Sequence, residues 1–135
     1  MRRLLTRLGV TDSPFLRGGG REMPVADYTA LIERWDVFRS RMLGFWSEHD
    51  VLVCPVNAHP AIAHGAMTQG IGLKAYSYTL TDNLTGCPSV TVRCGSSPEG
   101  LPIGLQVVAP PWREDRCLAV AQRLETALGG WRRAL

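Results

Sequence analysis

Lysine is almost absent from this sequence: of its fifteen basic residues only Lys74 is a lysine, the rest being arginine. Long apolar runs are missing too, and none approaches the ~20 residues that a helix needs to cross a bilayer. A membrane-spanning helix is thereby excluded. Leu4-Leu5 is followed at once by Thr6 and Arg7. That leaves no apolar segment for a secretory signal, and a cytoplasmic setting is the expectation. No two cysteines lie in a CxxC pair. Cys54, Cys87, Cys94 and Cys117 fall on segments that read as strand, loop, strand and helix, so reduced packing residues are expected, not a disulfide framework or a zinc site. Charge of one sign is scarce: the net value is +3, and the basic residues are scattered apart from pairs such as Arg2-Arg3 and Arg132-Arg133. A nucleic-acid partner is excluded on that ground. Cofactor and metal motifs are equally lacking. Gly18-Gly19-Gly20 has neither the preceding strand nor the lysine-plus-hydroxyl ending of a phosphate loop, and His59 and His64 fit neither HExxH nor finger spacing.

What remains is an ordinary globular composition. With 135 residues, 45% hydrophobic and 20% charged, the chain can bury a core as one domain. Residues 1–23, with their glycine triplet, read as a flexible N-terminal segment and residues 24–135 as the folded part. From Pro24 onward Tyr28, Leu31, Ile32, Trp35, Phe38, Met42, Phe45 and Trp46 recur every three or four positions. This spacing predicts a long amphipathic helix whose aromatic stripe packs into a core. Asp50-Val51-Leu52-Val53-Cys54, stopped by Pro55, predicts a short strand buried on both faces, as in parallel sheets. Residues 55–74 show no periodicity and predict a long loop holding His59 and His64.

Residues 75–84 predict a short helix ending at Gly86, which Pro88 prevents from continuing. Residues 89–94 alternate in period two and predict a half-buried strand; residues 95–100 are turn chemistry, and residues 103–108 predict a second strand, making an antiparallel hairpin. Gly104 would permit close approach of another segment. Gln106 alternates onto the face opposite Leu105 and Val107, where a buried amide needs partners and has a structural role. A final helix from about Arg113 places Leu118, Ala121, Leu124 and Leu128 on one face, sets Glu114 and Asp115 near its positive end, and stops at Gly129-Gly130.

The stretch Asn83-Leu84-Thr85-Gly86-Cys87-Pro88-Ser89-Val90-Thr91-Val92, followed by Gly100-Leu101-Pro102-Ile103-Gly104-Leu105-Gln106-Val107-Val108, closely resembles the C-terminal block of amidase-signature enzymes. Those enzymes carry N-x-x-G-x-P before one strand and G-L-P-x-G-x-Q before the next. The likeness continues through Trp112, Glu114, Leu118 and Ala121 to Leu124-Glu125, and backward to Asp50-Val51-Leu52-Val53-Cys54-Pro55, similar to the family's D-x-L-x-x-P strand end. Each motif alone is weak; their order and spacing over residues 28–125 carry the resemblance. It implies an α/β fold, the C-terminal part of the amidase-signature fold, with a mixed β-sheet flanked by helices, an antiparallel hairpin and a C-terminal helix.

The resemblance also implies a chemistry. A lysine and two serines act, one serine held in a cis peptide: a proton relay links the lysine through the first serine to the second, which attacks the amide carbonyl, and water resolves the acyl-enzyme. All three residues belong to the family's N-terminal half, and no segment here matches their Gly-Ser-rich loop. Ser96-Ser97 follow Gly95 but sit in the predicted turn before Pro98, and Lys74 has no family motif around it. A triad of His59 or His64 with a serine and Asp82 would lack a nucleophile elbow. No catalytic residue is therefore assigned to this chain. By the same resemblance Tyr78, Thr79, Thr81, Asn83, Thr85 and Gly86 line or support the acyl-binding pocket. An amide small molecule is then a substrate only when the chain is joined to an N-terminal amidase half. The alternative is a non-catalytic binding module on the same scaffold.

Overall fold

The computed structural model describes residues 22–64 and 77–133. Most of the expected flexible segment, the second part of the expected long loop, and Lys74 lie outside the described residues. Contacts divide the chain into two units, Met1–Arg34 and Trp35–Leu135.

In the first unit the described residues form the opening turns of helix α1 (Val25–Phe45), where the Tyr28 N–H bonds the Pro24 carbonyl. Pro24 thus stands immediately before the helix, where its missing N–H costs nothing. Little of the aromatic stripe packs into a core as expected: no residue of α1 is buried, Val25, Tyr28 and Leu31 are exposed, and of the stripe only Trp46, just past the helix, is buried.

The second unit contains the rest of α1, then β1 (Leu52–Pro55), α2 (Ser77–Thr85), β2 (Ser89–Ser96), β3 (Pro102–Val108) and α3 (Glu114–Ala127). After Gly44 the chain tightens into a turn that buries Trp46 edge-on to Phe45, while the His49 ring stacks on Phe45 at 4.2 Å. The three strands form one sheet in the order β1-β3-β2, and both pairings are antiparallel. β1 therefore differs from the parallel, doubly buried strand expected of it. Val53 is exposed and the strand lies at the sheet's edge, which lets Pro55 belong to it.

The predicted hairpin is present, with one change. A bulge at Cys94 shifts the register between Arg93 and Gly95, so β2 runs on to Ser96 and the turn shrinks to residues 97–101. Ser97 closes it: its N–H bonds the Leu101 carbonyl, its carbonyl accepts the Gly100 N–H, and its Oγ accepts the Leu101 N–H. Gly100 takes the left-handed φ of +85° that this turn requires.

Helix α3 packs on β2 and β3. The core consists of Val92, Val107 and Ala121, with Val51, Val90, Leu105, Val120 and Leu124 against it. α3 sets Ala121 and Leu124 against the sheet as expected, but Leu118 and Leu128 do not join them. Cys117 and Ala121 are buried while Leu118 is 59% exposed and Leu128 is also exposed. The small thiol at 117 allows this, because its Sγ reaches the Pro88 and Val107 carbonyls, a closeness that a leucine would prevent. All four cysteines are free thiols. Gly129 and Gly130, both at positive φ, end the helix as expected. No described helix is long and apolar enough to cross a membrane.

Candidate functional site

The residues singled out in sequence lie on α2 and its C-terminal cap, on the face of the sheet opposite to that of Leu105 and Val107. α2 ends because Gly86, at φ +73°, turns the chain so that the N–H groups of Gly86 and Cys87 both bond the Asp82 carbonyl. Thr85 is buried, and its hydroxyl, donating toward the Thr81 and Asp82 carbonyls, reinforces the same end. Thr81 and Thr79 are half-buried, whereas Tyr78, Asn83 and Gly86 are exposed.

Beneath α2, Gln106 is only 2% exposed. Its Nε2 lies 3.1 Å from Cys54 Sγ on β1, 3.2 Å from the Tyr78 carbonyl and 3.5 Å from Asp82 Oδ2. The predicted structural use of this buried amide is thus realised in hydrogen bonds to two elements. Asp82 was not singled out as a pocket residue. It is buried, and that burial raises its carboxyl above the ordinary carboxylate range. The signal in sequence is its place one helical turn after Tyr78, on the face that meets Gln106. At the other end of the helix, Trp35 Nε1 donates to the Leu84 carbonyl at 2.7 Å.

A depression of about 440 Å³ opens on the same sheet face, lined by residues 55–61 with Thr91 and Pro102, Ile103 and Gly104. The five candidates on α2 and Gly86 after it are outside its lining. Gly104 forms its floor, and a Cβ there would stand 3.0 Å from Val56 Cγ2 and 3.1 Å from Thr91 Cγ2, the close approach expected of this glycine. His59 sits on the rim, its backbone N–H bonded to Asn57 Oδ1. Asp82 engages Gln106 and not a histidine, so the described contacts assemble no triad from it. Among the described residues no group of His, Cys, Asp and Glu side chains could hold a metal ion.

Ser96 and Ser97 have turn roles. The Arg93 guanidinium donates to Ser96 Oγ at 2.6 Å, and Ser97 is buried with its Oγ engaged by Leu101. The Ser97 side chain also bonds the Glu99 carboxylate, which that bond holds below the ordinary carboxylate range.

Comparison with known proteins adds scale to this geometry. One of the subunits of the glutamyl-tRNA(Gln) amidotransferase of Ruegeria pomeroyi is 37% identical over 83 residues, which cover 59% of this chain and 17% of that protein. Its counterpart in Salinispora arenicola is 42% identical over 82 residues, 59% of this chain and 16% of its own length. The chain therefore spans about a sixth of the length of these relatives. Among solved structures, a 6-aminohexanoate cyclic dimer hydrolase complexed with substrate superposes with a TM-score of 0.71 at 27% identity, covering 84% of this chain and 27% of that one. A crystal structure of an amidase shares the fold with a TM-score of 0.74 at 24% identity, over 95% of this chain and 32% of its own. The sheet, its hairpin and the flanking helices are thus a portion of a larger α/β fold. With the Amidase family model matching residues 15–118 as well, the chain belongs to the amidase family.

Proposed function

We propose that this chain is the C-terminal portion of an amidase-signature hydrolase that cleaves carboxylic amide C–N bonds through a Ser-Ser-Lys acyl-enzyme. The lysine and both serines reside in an N-terminal half that this chain joins, and the chain alone is inactive. The carrying observation is the family match over residues 15–118 in a chain that spans 17% of a relative's length. The roles of Ser96 and Ser97 in the hairpin turn support the same reading, since their hydroxyls are engaged by Arg93, by the Leu101 N–H and by the Glu99 carboxylate within the turn itself.

In the joined enzyme the lysine draws the proton of the second serine through the first. The serine oxygen then adds to the amide carbonyl, the amine departs protonated, and water releases the acid. The α2 side of this chain lines or supports the acyl pocket. Thr79, Thr81, Thr85 and Gly86 shape the helix and its end, and the exposed Tyr78 and Asn83 are available for contact. The substrate is a small-molecule amide, the setting is cytoplasmic, and no cofactor is involved.

The test has two arms. The repurified chain should turn over no simple amide or ester, and co-expression with an upstream reading frame that encodes a lysine and a Gly-Ser-Ser-type loop should bring amide hydrolysis. Turnover by the chain alone that disappears in Ser97→Ala would overturn the proposal.

A further inference from the structure

The apolar cluster of Val92, Val107 and Ala121 lies on the α3 side of the sheet and draws no member from α2. The buried residues of α2 are Asp82 and Thr85, both polar, while Leu80 and Leu84 are exposed. No apolar side chain of α2 is fully buried, although hydrophobic burial is the ordinary means of seating a helix on a sheet. Hydrogen bonds from the sheet reach it as well. Gln106 Nε2 carries two hydrogens and faces three acceptors, two of which, the Tyr78 carbonyl and Asp82 Oδ2, lie one turn apart on α2. One side-chain amide therefore meets two successive turns of the helix, while its contact with Cys54 ties the same group to β1.

We propose that Gln106 is a positioning residue for the amide pocket: acting through Tyr78 and Asp82, its amide sets α2 against the sheet and so places the residues that line or support the pocket. The inference rests on the reading of α2 given under the proposed function. An aliphatic side chain at 106 would fill the same space but leave the Asp82 carboxylate and the Tyr78 carbonyl facing apolar atoms. The Trp35 bond to the Leu84 carbonyl, at the far end of α2, would remain.

Hydrogen exchange on the full chain reads this clamp without any turnover. In Gln106→Met, which keeps length and volume but removes both donors, the peptide covering residues 77–85 should exchange about tenfold faster, the scale of one or two lost buried hydrogen bonds. Peptides covering β2 and α3 should stay within about twofold of the parent. Unchanged exchange in α2, or acceleration by one common factor in every element, would overturn the proposal, the second outcome marking a merely structural role. The parent protein supplies an independent measurement if the variant does not fold. By NMR the Gln106 side-chain amide protons should exchange as slowly as the Asp82 backbone N–H, whereas exchange as fast as that of the exposed Gln122 side chain would overturn the clamp. Absence of hydrolysis in the joined enzyme would sink the functional reading and leave these exchange results standing.

Discussion

Adding a single methyl group at Gly104 probes how tightly the segment after β1 closes over β3. The new Cβ would lie 3.0 Å from Val56 Cγ2 and 3.1 Å from Thr91 Cγ2. Carbon atoms rest at about 3.5–4.0 Å, so each methyl must withdraw by about half an ångström. Valine and threonine are stiff at χ1, and the withdrawal draws backbone with it. Overpacking of this sort costs about 1–3 kcal/mol, and the reduced freedom of the unfolded chain offsets about 0.4–1 kcal/mol of that. Gly104 is not at positive φ, so no backbone penalty is added. The net expectation for Gly104→Ala is a loss of about 1 kcal/mol, or roughly 4 °C in melting temperature for a chain of this size. Urea denaturation should show a lower midpoint with an unchanged slope. Val56→Ala removes the nearer methyl, so the double variant should be more stable than the sum of the single effects by about 0.5–1 kcal/mol. A Gly104→Ala variant more stable than the parent, or zero coupling to Val56→Ala, would refute the reasoning.

The phase of α3 is tested by a pair of truncations followed in urea: Cys117→Ala, at a side chain 0% exposed, should cost about 1 kcal/mol, whereas Leu118→Ala should stay within about 0.5 kcal/mol. Equal losses would mean that the buried face is misassigned. The pH dependence has two limbs of opposite sign. Burial raises Asp82, so the folded state holds its proton more tightly than the unfolded chain, and stability falls as pH rises above the ordinary carboxylate value. Asp82→Asn should flatten that decline, and an unchanged profile would contradict it. Asp115 is lowered to about 2, first by its hydrogen bonds from the Arg113 guanidinium. Its contribution is present above the ordinary carboxylate range and is lost as pH falls toward 2; Asp115→Asn should remove this acid limb. Trp112 holds φ +66° with its indole 89% exposed, in a turn closed by the Arg113 N–H on the Pro110 carbonyl. Trp112→Gly should therefore raise the melting temperature by a few degrees, since a left-handed backbone costs a non-glycine residue about 1 kcal/mol; a lower value would show that the indole stabilises the fold.

Periodicity, punctuation and motif order, all local properties, were enough to place the helices, the hairpin and the family from the sequence by itself. Gly86, Gly100 and the Gly129-Gly130 pair mark ends that only a left-handed backbone can make, and all four take it. Gln106 was legible as buried because it interrupts an apolar strand with an amide that must find partners. Which partners it finds depends on what the fold lays across it, and Tyr78 and Asp82 are 28 and 24 residues away in the chain. The pairing of β1 was illegible for a related reason: a short apolar run reads the same in a parallel or an antiparallel sheet, and only the register against Val107 and Gln106 decides. The bulge at Cys94 and the burial of Cys117 in place of Leu118 likewise came from tertiary packing, where the space between sheet and helix selects a thiol over the neighbouring leucine. The aromatic stripe of α1 predicts a buried face whose cover no local pattern can supply, because burial belongs to pairs of surfaces and not to one helix.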